Sequence, residues 1–209
     1  MAINDLWNER FHRAVLAATA NAGGPIYDTD GDVIIGGSYY VLPRIWGAAG
    51  GGLNLAPRGD NQCPLFIGQE PSEVNKGIPV RFSNWRSRVR FVPESMNLNI
   101  KMDVKATVCV QSTYWWVTAA ESHFRTMFVT AGRKPEHGED SANSFFQIKK
   151  IGDNLSGYKI AFCPEDKDCI NVGIKVDRSG VRRLVLSSTP FEVVFEKATY
   201  TSSKTMSNV

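Results

Sequence analysis

Val172-Gly173-Ile174-Lys175-Val176-Asp177-Arg178-Ser179-Gly180-Val181-Arg182-Arg183-Leu184-Val185-Leu186 contains two apolar runs separated by a cluster of turn-forming residues. Val172, Ile174 and Val176 alternate with Gly173 and Lys175, which is the period-two pattern of a strand with one buried face. Asp177-Arg178-Ser179-Gly180 supplies the residue types that reverse a chain tightly, so the stretch reads as a β-hairpin.

The same kind of run recurs in both directions along the chain. Short β-branched or aromatic segments stand at 38–42, 65–67, 80–82, 98–102, 114–117, 128–130, 145–148, 158–162 and 191–195, each bounded by turn residues. No internal segment has a convincing helical period. About a dozen strands without helices predict a closed all-β architecture, a barrel-type trefoil or a sandwich, and twelve short strands favour three similar four-strand units closing one barrel. Gly36-Gly37, before Tyr39-Tyr40, and Gly50-Gly51-Gly52, before Leu53, mark corners. The triplet lacks the Gly-Lys-Ser or Gly-Lys-Thr of a phosphate loop and reads as a tight turn or bulge. Asp28, Asp30 and Asp32 begin like a calcium loop, but Val33 stands where such a loop needs glycine and Tyr39 where it needs glutamate.

With 209 residues the chain fits one domain with tails. A formal charge of +3, with no run of lysines or arginines to follow a phosphate backbone, argues against nucleic acid as a partner. No apolar run approaches the roughly 18–20 residues of a spanning helix, so no membrane partner is expected. His12, His123 and His137 lie in no G-x-S-x-G or H-E-x-x-H context, and the cysteines have no paired metal-ligand spacing. No enzymatic activity, cofactor or metal is expected. Cys63, Cys109, Cys163 and Cys169 favour two disulfides and an oxidising compartment; three pairings are open, one of which encloses residues 64–108 in a long loop.

Residues 1–22 differ in character from the rest of the chain. Leu6, Trp7, Phe11, Val15 and Leu16 have roughly helical spacing, and Ala20-Asn21-Ala22 has the small-x-small form of a signal-peptidase site, but Arg10, His12 and Arg13 interrupt the apolar stretch. The segment is assigned as a leader or altered signal remnant outside the core, with the domain at 23–198 and a polar, mobile tail at 199–209. Asn154-Leu155-Ser156 is a glycosylation sequon between two strands.

Ser83-Asn84-Trp85-Arg86-Ser87-Arg88-Val89-Arg90-Phe91-Val92-Pro93 suits an exposed, extended loop leaving a strand. An Arg88-Val89 peptide displayed in this way matches what a trypsin-like protease cleaves, because its specificity pocket pairs a buried carboxylate with a guanidinium. Arginines in loops are also commonly solvated, and the same three form a small basic patch for an acidic partner.

With these blocks in place the chain resembles the plant Kunitz-type (soybean trypsin inhibitor) family over roughly 25–198. The likeness is carried by Asp28-Thr29-Asp30-Gly31, Gly36-Gly37-Ser38-Tyr39-Tyr40-Val41-Leu42-Pro43, Gly50-Gly51-Gly52-Leu53, Cys63-Pro64-Leu65, Gly157-Tyr158-Lys159-Ile160-Ala161-Phe162-Cys163-Pro164 and Arg182-Arg183-Leu184-Val185-Leu186. The resemblance implies a β-trefoil with pseudo-threefold symmetry and the disulfides Cys63–Cys109 and Cys163–Cys169. It also implies a monomer that is secreted or vacuolar in plant tissue, with a trypsin-like serine protease as partner. Arg88-Val89-Arg90-Phe91 lines up with the family's Arg-Ile-Arg-Phe segment, giving a reactive loop of Arg86, Ser87, Arg88, Val89, Arg90 and Phe91 with Arg88 as specificity residue.

The sequence departs from the pattern at three places. Asp32-Val33-Ile34-Ile35 is one residue shorter and puts Ile35 near a loop-supporting asparagine, the segment from Lys76-Gly77 to Arg88 is one residue longer, and Ser87 replaces a larger residue. Asp32 and Asn84 are the candidate replacements for the missing support. The departures keep a second reading open: a non-inhibitory binding, storage or defence protein on the same fold, miraculin-like or binding sugar or amylase. A third is a cysteine-protease contact through 133–142.

Overall fold

The computed structural model describes residues 23–45, 47, 49–58, 61–83, 85, 89–118, 126–136, 139–152, 157–164, 168–177 and 179–199. Its strands are β1 (Tyr39–Pro43), β2 (Leu53–Arg58), β3 (Asn61–Gln69), β4 (Val80–Ser83), β5 (Asn99–Met102) and β6 (Tyr114–Thr118). They continue with β7 (Phe128–Gly132), β8 (Phe146–Lys150), β9 (Tyr158–Phe162), β10 (Ile170–Val176), β11 (Arg182–Ser187) and β12 (Glu192–Lys197).

The pairing repeats three times. β4 pairs with β5, β8 with β9 and β12 with β1, all antiparallel, joining one four-strand unit to the next. Within each unit the first and last strands touch at Tyr39↔Val80, at the bridge Leu98↔Phe146, and at Tyr158↔Val193. These contacts close six strands into a barrel. The other six form the hairpins β2–β3, β6–β7 and β10–β11, which pair with one another through β3–β7, β11–β3 and β11–β7 and cap one end. This is a β-trefoil, as the twelve-strand pattern predicts.

The decisive hairpin forms in the expected register, Val172↔Leu186 to Val176↔Arg182. Asp177 Oδ1 accepts from the N–H groups of Ser179 and Val181, and Gly180 takes φ 82°, a left-handed conformation that glycine adopts without cost. Burial decays along β10 toward the turn: Val172 is buried, Ile174 half-buried and Val176 exposed.

The barrel interior holds rings from all three units. Trp115 meets Phe146 edge-on at 5.5 Å, Phe82 meets Phe195 edge-on at 5.5 Å, and Tyr158 lies 5.4 Å from Phe195. The glycine triplet is a close crossing of backbones. Gly51 N–H donates to Glu70 O and Gly52 N–H to Asn75 O, and a Cβ on Gly52 would stand 2.0 Å from Lys76 O.

Two elements differ from expectation. β2 is an added strand, paired with β3 through a register shift between Ala56 and Arg58 where Pro57 interrupts the ladder. Glu139–Ser144 forms a 3₁₀ helix, where no internal helix was expected, overlapping the end of the 133–142 segment. Its end is fixed to β5, since Asn99 Nδ2 donates to Ser144 O and Oγ, and both residues are buried.

Candidate functional site

The arginine segment occupies the connection from β4 to β5, inside the span closed by Cys63–Cys109 (Cα–Cα 5.7 Å); Cys163–Cys169 closes a short loop elsewhere. Both ends of the connection are fixed by backbone hydrogen bonds. On the entering side β4 runs in register with β5 as far as Ser83↔Asn99. On the leaving side Val92, fully buried, donates its N–H to Ile34 O at 2.8 Å and accepts from Ile26 N–H at 3.0 Å, while Ile34 N–H donates to Ile26 O. Glu94 N–H then donates to Gly24 O, and the Glu94 carboxylate accepts from Lys150 N–H. The 24–34 segment thus serves as a strand-like splint for the loop's exit. Residues 84–91 are what lies between the two fixed ends.

Of the expected site residues, Val89 and Phe91 are half-buried and Arg90 is exposed, while Asn84, Arg86, Ser87 and Arg88 lie outside the described residues. Asp32 belongs to a turn of its own: its N–H donates to Asp28 Oδ1 and its carbonyl accepts from Asp28 N–H. Asp28 and Asp32, after burial itself, raise the Tyr39 hydroxyl above the usual tyrosine range. Ile34, within the splint, is buried, and Ile35 turns outward, 61% exposed. The sequon at Asn154, His123 and His137, residues 1–22 and residues 200–209 of the tail also lie outside the described residues.

One residue of the stretch that the sequence reads as an exposed loop is engaged with the core. Trp85 is half-buried against the core, and its indole Nε1–H donates to Val89 O at 3.0 Å, tying residue 85 to residue 89. The only signal for this in the sequence is the tryptophan itself, whose N–H needs a partner once its ring is packed. In the 133–142 segment Trp116 Nε1–H donates to Arg133 O at 2.7 Å, with the Arg133 guanidinium over the Trp116 ring and Pro135 buried. Among the described residues no three His, Cys, Asp or Glu side chains converge as a metal site.

A threefold barrel carrying a short arginine loop on two fixed ends defines a class: β-trefoil proteins that present a surface loop to a partner. Known proteins narrow the class. The legume Kunitz family described as trypsin and protease inhibitor matches residues 26–197, and the chain belongs to that family. It is 54% identical to Kunitz trypsin inhibitor 4 of Arabidopsis thaliana over 95% of this chain and 96% of that protein. It is 37% identical to the 21 kDa seed protein of Theobroma cacao over 86% of this chain and 84% of that one. Soybean trypsin inhibitor, solved in complex with porcine pancreatic trypsin, superposes with a TM-score of 0.70 at 32% identity, covering 84% of this chain and all of that one.

Proposed function

We propose that this protein inhibits trypsin-like serine proteases by substrate-like binding, with Arg88-Val89 as the scissile bond. The observation that carries the reading is an arginine segment held between two hydrogen-bonded ends, β4 against β5 and Val92 against Ile34 and Ile26. A loop fixed in this way gives up little conformational entropy on docking, and that is the main source of affinity for a preorganised ligand. Arg88 enters the specificity pocket and pairs with its carboxylate, while the Arg88 carbonyl reaches the oxyanion hole. Such interfaces bury about 1,600 Å² in total. The protein acts as a ligand of an enzyme and has no catalytic role of its own. Two disulfides fit an oxidising location, secreted or vacuolar. The inhibitory unit spans 23–198, with 1–22 a leader, 199–209 a polar tail and Asn154 a glycan site.

Arg88→Ala tests the assignment. Loss of the anchor in a fully desolvated pocket weakens trypsin inhibition by at least about 100-fold; unchanged inhibition refutes it. A second reading, a binding or storage protein that does not engage proteases tightly, is favoured by Ile35, which carries no hydrogen-bonding group for the loop and points to solvent.

A further inference from the structure

We infer that Trp85 is the positioning residue that holds the reactive loop closed across its scissile bond, an inference resting on the inhibitory reading above. The juxtaposition is specific. Trp85 lies on the N-terminal side of Arg88-Val89 and donates its indole N–H to the carbonyl of Val89, on the C-terminal side, at 3.0 Å. The ring is anchored by packing against the core, so the donor is a fixed point. Ile35 offers no donor and is 61% exposed, and Asp32 is engaged through its backbone in the 28–32 turn.

The consequence appears once the bond is cut. The protease serine Oγ attacks the Arg88 carbonyl carbon, the bond from that carbon to Val89 N breaks, and the protease histidine delivers the serine's proton to the departing amine. Arg88 is then an acyl ester of the enzyme, and Val89 carries a free α-amine. Without a tether the amine diffuses away and water hydrolyses the ester. Here the acyl fragment carries Trp85 and the amine fragment carries Val89 O, so the hydrogen bond spans the break. Three residues further on, Val92 is pinned to Ile34 and Ile26. The amine is held at high effective concentration beside the ester. When the Val89 amine attacks the Arg88 acyl carbon again, the C–N bond re-forms, the bond from that carbon to the serine Oγ breaks, and the histidine passes the amine's proton to the departing serine oxygen, which restores both the peptide bond and the free enzyme. Trp85 therefore acts on the balance between intact and nicked inhibitor as well as on binding.

The experiment compares wild type, Arg88→Ala and Trp85→Phe of the full chain, the last keeping an aromatic ring and deleting the donor. Each is equilibrated with catalytic trypsin, and the nicked-to-intact ratio at Arg88-Val89 is read by mass spectrometry alongside the inhibition constant and Tm. One neutral hydrogen bond corresponds to a rise of roughly two- to tenfold in that ratio, with a similar weakening of inhibition. If the smaller ring lowers Tm, the benzothienylalanine isostere at position 85, which keeps the bicyclic outline without an N–H, replaces it. A ratio and inhibition constant equal to wild type for the donor-less protein overturn the inference while leaving inhibition through Arg88 intact. Wild type that fails to inhibit trypsin, or Arg88→Ala that inhibits equally well, removes the inhibitory reading and this inference with it.

Discussion

Opening the long disulfide separates what holds the fold from what holds the loop. Cys63 and Cys109 are 46 residues apart, and on the chain-entropy account closing such a loop stabilises the native state by about 4 kcal/mol. Neither residue is buried, Cys63 being exposed and Cys109 half-buried, so Cys63→Ser with Cys109→Ser leaves no core cavity. For a domain of this size about 4 kcal/mol corresponds to a fall in Tm of roughly 8–16 °C. The loop ends are held independently, by the β4–β5 register and by the bonds of Val92 to Ile34 and Ile26. Trypsin inhibition at room temperature should therefore change less than about threefold. Calorimetry and an inhibition titration on the same sample are the assay. A Tm within a couple of degrees of wild type refutes the loop-entropy estimate. Inhibition lost in a protein that still melts cooperatively refutes the claim that strand and splint fix the loop.

Trp115→Ala empties the barrel interior beside Phe146 and should cost about 3–5 kcal/mol in urea unfolding. Gly52→Ala drives a Cβ into Lys76 O and should destabilise by about 1–3 kcal/mol, read the same way. Ser179, chiefly, and the Val181 amide hold the Asp177 carboxyl below the usual range. Its contribution is complete above an unfolded-state pKa of about 3.9 and is lost as the pH falls through the lower folded value. Asp177→Asn should lower the urea midpoint slightly at neutral pH, by well under about 1 kcal/mol for a partly exposed group, with a gap that narrows in acid.

Strands whose apolar residues alternate without interruption were legible in the sequence, and the 172–186 hairpin lies where Asp177 to Gly180 place its turn. β2 was hidden because Pro57 breaks its ladder and its partner strand shifts register. The closed barrel was legible from the number of strands, but the contacts that close it were not, since they are single pairings such as Leu98↔Phe146 between residues far apart in the chain. At the site, the arginine segment and its flanking strand could be read locally. The splint could not, because Val92, Ile34 and Ile26 resemble ordinary core residues until the backbone bonds among them are seen. Trp85 could be read only as part of an exposed loop, and the packed ring and the Val89 carbonyl show where its N–H goes.

The most direct test of the central claim is a titration of active trypsin with the oxidised protein, followed by mapping any nick after long incubation. Stoichiometric loss of activity, with the chain intact or cut once at Arg88-Val89, is the predicted result. Undiminished activity, with rapid cutting anywhere from Arg86 to Arg90, would contradict it and show that the fixed loop ends do not make this segment an inhibitor.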